Sequence, residues 1–138
     1  MSKKRTRATP APPPTPAEFE ILRVLWRRGP STVRDVHTAL ESSREARAVG
    51  YTTVLKLMQI MTEKGLVRRD ESARTHVYRA AAEEDRTKRR LVSDLVDRAF
   101  EGSALGLVMH ALATRPAAPE EIEQIRALLE EHAQGEEP

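Results

Sequence analysis

The sequence predicts a mainly α-helical protein that carries one small β-hairpin. Aromatic residues make up only 4% of the chain, so the core must consist mostly of aliphatic side chains and methionine, which favours helices. Apolar residues also recur at helical spacing through most of the chain, and this periodicity is interrupted by a single pair of short extended segments. At 138 residues there is room for one compact domain, or for a small domain with an extension.

The first two helices have well-marked ends. Thr15 and Glu18 form the capping-box pattern at the start of the first helix, and Gly29 follows its last apolar turn. Thr32 and Asp35 repeat the same pattern at the start of the second helix. Both helices present apolar residues on one face, so we expect them to pack on a common core.

The third helix, predicted from Tyr51 to Lys64, has two distinct faces. Projected at 100° per residue, its apolar arc consists of Val54, Leu57, Met58 and Met61. The opposite arc consists of Thr52, Lys56, Gln59 and Glu63. Gly65 supplies a left-handed end, and the polar residues 41–48 before the helix are predicted to form a loop.

A basic hairpin follows the third helix. Two extended segments, 66–69 and 75–79, flank the polar tip 70–74. Three helices followed by such a hairpin is the order of a winged helix-turn-helix, which we predict for residues 15–80. The residues before it, 1–14, are basic and rich in proline, and are predicted to be a disordered tail.

Residues 81–132 are predicted to form further helices that serve dimerisation. Their apolar stripes consist of Leu91, Leu95, Ala99, Phe100, Leu105, Val108, Met109, Leu112, Ile122, Ile125, Leu128 and Leu129. Three short helices are too little chain for an independent core, and symmetric pairing would bury the same surface twice. Folding back onto the winged helix remains an alternative. Residues 133–138 are predicted to be a disordered acidic tail.

Charge is distributed unevenly along the chain. Residues 1–79 carry 16 lysines and arginines against 8 acidic residues, whereas residues 80–138 carry 7 against 13. A basic first half suits a polyanionic partner such as double-stranded DNA.

No cysteine is present, and no apolar run approaches the roughly 20 residues needed to cross a bilayer. The N-terminus lacks the pattern of a secretory signal, so we expect a cytoplasmic protein without membrane insertion.

The polar arc of the third helix carries the best candidates for DNA contacts. The hydroxyls of Thr52 and Thr53 can bond a phosphate or a base edge, Lys56 can reach guanine or phosphate, and Gln59 can pair with adenine. The full predicted set adds Tyr51 at the helix start and Arg68, Arg69 and Arg74 of the hairpin. Arg68 and Arg69 point to opposite faces of a strand, so some of these arginines are expected to pair with Asp70 or Glu71 instead.

Enzymatic functions find no support in the sequence. The four histidines are scattered without metal-ligand spacing, and no glycine-rich phosphate loop occurs. We therefore predict no catalytic residue, no metal and no cofactor. Two other functions stay open: a nucleoid-type protein that coats DNA without sequence preference, and a winged-helix module that binds protein partners.

From Thr15 to Glu131 the chain resembles the BlaI/MecI-type penicillinase repressors. The resemblance rests on the segments PAEFEILRVLW, GPSTVRDV and YTTVLKLMQIMTEKGLVRR, and the spacing of GYTTV and EKGL is quite specific. It implies a dimeric repressor that binds palindromic operators through the third helix and the wing. It also implies release of repression through a membrane sensor metalloprotease.

The chain departs from this family in two respects. A copper-responsive branch uses a cysteine-rich motif near its C-terminus, and the absence of cysteine excludes that mode of sensing. Some members are cleaved between Asn and Phe, and this sequence aligns His110 and Ala111 at that bond. The resemblance therefore does not extend to the cleavage site. Without that site, the resemblance alone does not imply that a β-lactam is the inducing signal.

Overall fold

A computed structural model of the chain describes residues 12–43 and 49–135. The elements follow in the order α1 (Pro16–Arg28), α2 (Val33–Glu41), α3 (Tyr51–Lys64), β1 (Val67–Asp70), β2 (Val77–Ala80), α4 (Glu84–Ala99), α5 (Ala104–Thr114) and α6 (Pro119–Gly135). The predicted fold class, mainly helical with one antiparallel hairpin, is confirmed. The described residues up to Leu91 form one compact unit, and those from Val92 onward form a second.

Both predicted capping boxes are present. In α1 the Glu18 N–H donates to Thr15 Oγ1 at 3.2 Å, and the Thr15 N–H donates to Glu18 Oε1 at 2.9 Å. In α2 Thr32 and Asp35 exchange the same two bonds at 3.0 and 3.1 Å. The bond from the Thr32 N–H lowers the pKa of the Asp35 carboxyl, since it favours the charged form. Local sequence thus determines where these two helices begin.

The core of the first unit lies between α1, α2 and α3. Its fully buried apolar side chains come from all three helices: Ile21, Val36, Val54, Met58 and Met61. Tyr78 of β2 closes the core from the hairpin side and is almost completely buried. Because the apolar arc of α3 is used for this packing, its polar arc faces outward.

A buried ion pair joins α1 to the end of α3. Lys64 Nζ donates to both carboxylate oxygens of Glu18, at 2.8 and 2.9 Å. Glu18 is only 2% exposed, so its charge depends on this partner and on the Thr15 N–H. Glu18 was predicted only as a capping residue, because no local pattern reveals a partner 46 positions away.

The hairpin is antiparallel and pairs Val67 with Ala80 and Asp70 with Val77. Strand β1 has the predicted length of four residues but starts and ends one residue later than 66–69. Strand β2 starts two residues later than the predicted 75–79 and ends at Ala80. Leu66 does not join β1, because its N–H bonds to the Met61 carbonyl at 2.9 Å as part of the left-handed end of α3.

A third segment joins the hairpin, which the sequence did not predict. Ser31, between α1 and α2, exchanges backbone bonds with Tyr78 of β2 at 2.9 and 2.8 Å. Nearby, Trp26 Nε1 donates to the Ala82 carbonyl at 3.0 Å. These bonds attach the hairpin to the turn before α2, so the wing has a defined position relative to α2 and α3.

The second unit exposes much of its apolar surface. No residue of α5 or α6 is buried in the single chain. Its exposed large apolar side chains are Val92, Leu95, Leu105, Val108, Met109, Leu112, Leu128 and Leu129. Of the other residues predicted to mediate dimerisation, Phe100, Ile122 and Ile125 are half-buried and Ala99 is exposed.

Some boundaries differ from those predicted. The division between units falls within α4, beyond residue 80, and Leu91 belongs to the first unit. Helix α6 continues to Gly135, so residues 133–135 are helical and not part of a disordered tail, since Ala133 and Gln134 favour helix. The remaining predicted tails, 1–11 and 136–138, and residues 44–48 of the predicted loop lie outside the described residues.

Candidate nucleic-acid interface

The polar arc of α3 is available for contact along its length. Thr52, Thr53, Lys56 and Gln59 are all exposed. Among the residues that the structure describes, none pairs with the Lys56 ammonium or with the Gln59 amide. The opposite arc is locked in the core by Val54 and Met58, both fully buried. A rigid helix with unengaged polar groups of this kind can read base edges or hold phosphates.

No side chain among the described residues caps the N-terminus of α3, which we call its open terminus, whereas α1 and α2 each begin with a capping box. Gly50 occupies the capping position of α3 and offers no side chain to its first-turn N–H groups. These donors and the positive end of the helix dipole favour an anion such as a phosphate. The open terminus therefore lies on the helix that also carries the polar arc.

Tyr51, the first residue of α3, is held between two side chains of α2. The Arg34 guanidinium lies 5.4 Å from the centroid of its ring, and the His37 ring meets it edge-on at 5.8 Å. His37 Nε2 also lies 3.0 Å from the Val49 carbonyl oxygen, just before α3. Helix α2 therefore determines the position of the start of α3.

A cleft opens where α2, α3 and the hairpin meet, and we call it the wing cleft. It encloses about 510 Å³, and its lining includes Thr32, Arg34, Tyr51, Arg74 and His76. Arg34 and Arg74 bring positive charge from two sides, and no acidic side chain is among the described residues that line it. Such a concave cationic surface beside an open helix terminus suits a nucleic-acid backbone.

The structure separates the three wing arginines of the predicted set. Arg74 is exposed near the tip and lines the wing cleft close to Tyr51. Arg69 is engaged within the hairpin: its Nε donates to Glu71 at 2.7 Å, and a bond to Tyr78 together with this pair raises its pKa. Arg68 lies on the other face of β1, opposite Arg79, and lines a different cavity.

Sequence reasoning missed Arg34 and His37. Arg34 is absent from the predicted set because α2 is predicted to pack on the core, although its place in the first turn, two residues after the capping Thr32, was a usable signal. The contacts of His37 with Tyr51 and Val49 arise only when α2 and α3 pack together, so no local pattern predicts them. The described residues contain no group of three or more histidines and acids that could hold a metal ion.

A three-helix core whose third helix turns its polar face outward, together with an attached hairpin, is the arrangement of a winged-helix protein. Comparison with protein families adds the particular group: a model described as penicillinase repressor matches residues 14–131, and the chain belongs to this family. It is accordingly a transcriptional repressor of the BlaI/MecI type and not an enzyme, as the sequence resemblance predicted.

Two relatives found by sequence agree with this assignment. The chain is 31% identical over 114 residues to the transcriptional regulator BlaI of Mycobacterium tuberculosis, with 82% of this chain and 80% of the relative covered. It is 20% identical over 113 residues to the methicillin resistance regulatory protein MecI of Mammaliicoccus sciuri, with 82% of this chain and 89% of the relative covered. A solved transcriptional regulator from Thermotoga maritima matches with a TM-score of 0.44 at 20% identity, over 87% of this chain and 74% of that one.

Proposed function

We propose that the chain represses transcription as a homodimer that binds a palindromic operator. In this proposal α3 enters the major groove with Thr52, Thr53, Lys56 and Gln59 toward the base edges, and the wing contacts the adjacent backbone. The observation that carries the proposal is the polar arc of α3, which begins at an open helix terminus beside the cationic wing cleft. Base-edge contacts there would supply specificity, and phosphate contacts by Arg34 and Arg74 would supply affinity.

The dimer in this proposal forms through the second unit. Its apolar side chains are too numerous and too exposed to be explained by the single chain: Leu105 is 68% and Leu129 is 62% exposed. A second copy offers the same surface, and a twofold dimer would present two α3 helices to two half-sites of a dyad.

Introducing charge into this surface is expected to produce monomers. Leu105→Glu and Leu129→Glu each place a carboxylate where the partner's apolar surface would bury it, which disfavours association. Sedimentation velocity would measure the change. Glu130→Lys, an exposed polar position next to Leu129 on α6, serves as the control and should stay dimeric. Unchanged association in both leucine variants would contradict the assigned interface.

Removing a wing arginine should change the salt dependence of binding. If Arg74 holds a phosphate, Arg74→Ala lowers the slope of log K against log salt by about one and weakens all duplexes alike. Arg89→Ala is a matched control, because Arg89 is exposed and paired with Asp85 on α4. An unaltered slope in Arg74→Ala would remove the wing from the proposal.

Selection of bound duplexes from a random pool tests the whole proposal. The full chain should enrich one sequence with two half-sites related by a dyad, and a footprint on that sequence should protect both. Equal affinity for selected and random DNA at physiological salt would favour the nucleoid-type alternative. Retention of DNA binding after neutralising both Lys56 and Arg74 would favour the protein-interaction module.

The remaining part of the proposal is that a sensor metalloprotease releases repression. The proposal as a whole supposes that the repressor acts in the cytoplasm. No helix among the described residues is long and apolar enough to cross a membrane. The His110–Ala111 bond lies within α5, so cleavage there would require that helix to open first. Immunoblots of cells exposed to a β-lactam would test the idea, and an intact repressor during derepression would contradict it.

A further inference from the structure

The first unit contains a second cavity, outside the wing cleft. It has a volume of about 350 Å³, is open to solvent and lies between the segment before α1, α1 itself, the start of β1 and the first half of α4. We call it the α4 cavity. The buried core residues Leu22 and Leu66 contribute to its floor together with Ala81. Small-molecule sites in proteins start at about 300 Å³, so the size suits a small organic ligand, and the lining offers both apolar and polar groups.

The rim of the α4 cavity is cationic. Arg68 of β1 and Arg86 of α4 line it, and no acidic side chain is among its described lining residues. Arg68 also stands directly opposite Arg79 across the hairpin. Like charges at facing positions destabilise a sheet, so a bound anion would relieve a repulsion that the folded hairpin otherwise carries.

From these features we propose that the α4 cavity binds a small organic anion with an apolar body, such as an aromatic carboxylate. The apolar floor would cover the ring, and the rim arginines would hold the carboxylate, for which the guanidinium geometry is well suited. A DNA phosphate fits less well, because a sugar-phosphate backbone has no extended apolar ring to cover the floor. The cavity borders Gly65 and Leu66, so its occupant would contact the segment that joins α3 to the wing.

Three probes separate the contributions of charge and apolar surface. 2-Naphthoate carries both, 2-naphthamide keeps the rings without the charge, and inorganic phosphate keeps a charge without the rings. Titration of the full chain by calorimetry should show binding of 2-naphthoate, with at least tenfold weaker binding of the other two. Amide shifts in NMR spectra should move at Leu66 and Thr87, which line the cavity.

Two variants locate the binding. Arg86→Gln should weaken 2-naphthoate at least tenfold, whereas Arg89→Gln, on the same helix but outside the lining, should leave it unchanged. Ala81→Leu should fill the cavity and abolish binding while circular dichroism shows an unchanged fold. No binding of 2-naphthoate at millimolar concentration, or equal binding by wild type and Arg86→Gln, would overturn the proposal. So would a loss of DNA affinity in Arg86→Gln with naphthoate binding intact, which would make Arg86 a DNA contact.

Discussion

Lys64→Met is expected to destabilise the first unit by about 3 kcal/mol, at the lower end of the range for breaking a buried ion pair. The Glu18 carboxylate would stay buried with only the Thr15 N–H as partner, and an uncompensated buried charge is expensive. The Lys64 side chain is 24% exposed, so water can reach part of the site and keeps the loss from being larger. Since whole domains are stable by about 5–15 kcal/mol, this single change should shift the unfolding transition strongly.

A double variant distinguishes the loss of the attraction between Glu18 and Lys64 from the cost of leaving the Glu18 carboxylate buried without a partner. Replacing both partners, Glu18→Leu with Lys64→Met, removes the buried charge and should recover part of the loss. It also removes the bond that the Glu18 carboxylate accepts from the Thr15 N–H in the capping box, so full recovery is not expected. Urea unfolding at fixed protein concentration, followed by the fluorescence of Trp26, measures each step. A single Lys64→Met variant as stable as the wild type would show that Glu18 does not depend on this partner.

Lys56→Ala is expected to weaken binding to the selected operator by about 1–3 kcal/mol, roughly 5- to 150-fold. Lys56 is the one cation on the polar arc of α3, and no described residue pairs with it. A base contact would be lost only at the matching position, so the variant should also tolerate substitutions there better than the wild type. Loss of a phosphate contact would instead weaken all sequences equally, and the two outcomes assign different roles to the same side chain.

A matched lysine controls for charge alone. Lys88→Ala removes an exposed lysine of α4 that pairs with Glu84 at 2.9 Å, and it should leave operator affinity nearly unchanged. Titration of labelled operator and random duplexes at several salt concentrations gives both affinity and specificity. Equal losses in Lys56→Ala and Lys88→Ala would mean that Lys56 acts through net charge and does not touch the operator.

Much of the first unit was predictable because its signals are local. The starts of α1 and α2 follow from two capping boxes, and the end of α3 follows from Gly65, which adopts φ +84°. The polar arc of α3 was also predictable, because helical periodicity assigns every residue to a face before any tertiary contact is known. The boundaries of the strands were less predictable, because the Leu66 N–H forms its hydrogen bond within the end of α3 and not within the sheet.

The contacts between elements could not be read from the chain. Ser31 joins β2, Lys64 reaches Glu18, and Arg34 and His37 enclose Tyr51 only after the helices have packed. The wing arginines show the limit most clearly. Sequence alternation placed Arg68 and Arg69 on opposite faces, but only the register and the partners decided that Arg69 bonds Glu71 while Arg74 lines the wing cleft.

The sequence by itself determined the fold class, the polar arc of α3 and the excess of apolar surface after residue 91, since periodicity and capping act within one or two helical turns. Only the tertiary structure decided which cations meet at the open end of α3. The physical reason is distance along the chain: Arg34, Tyr51 and Arg74 are far apart in sequence and are brought together by packing of a shared core, a property that no single segment contains.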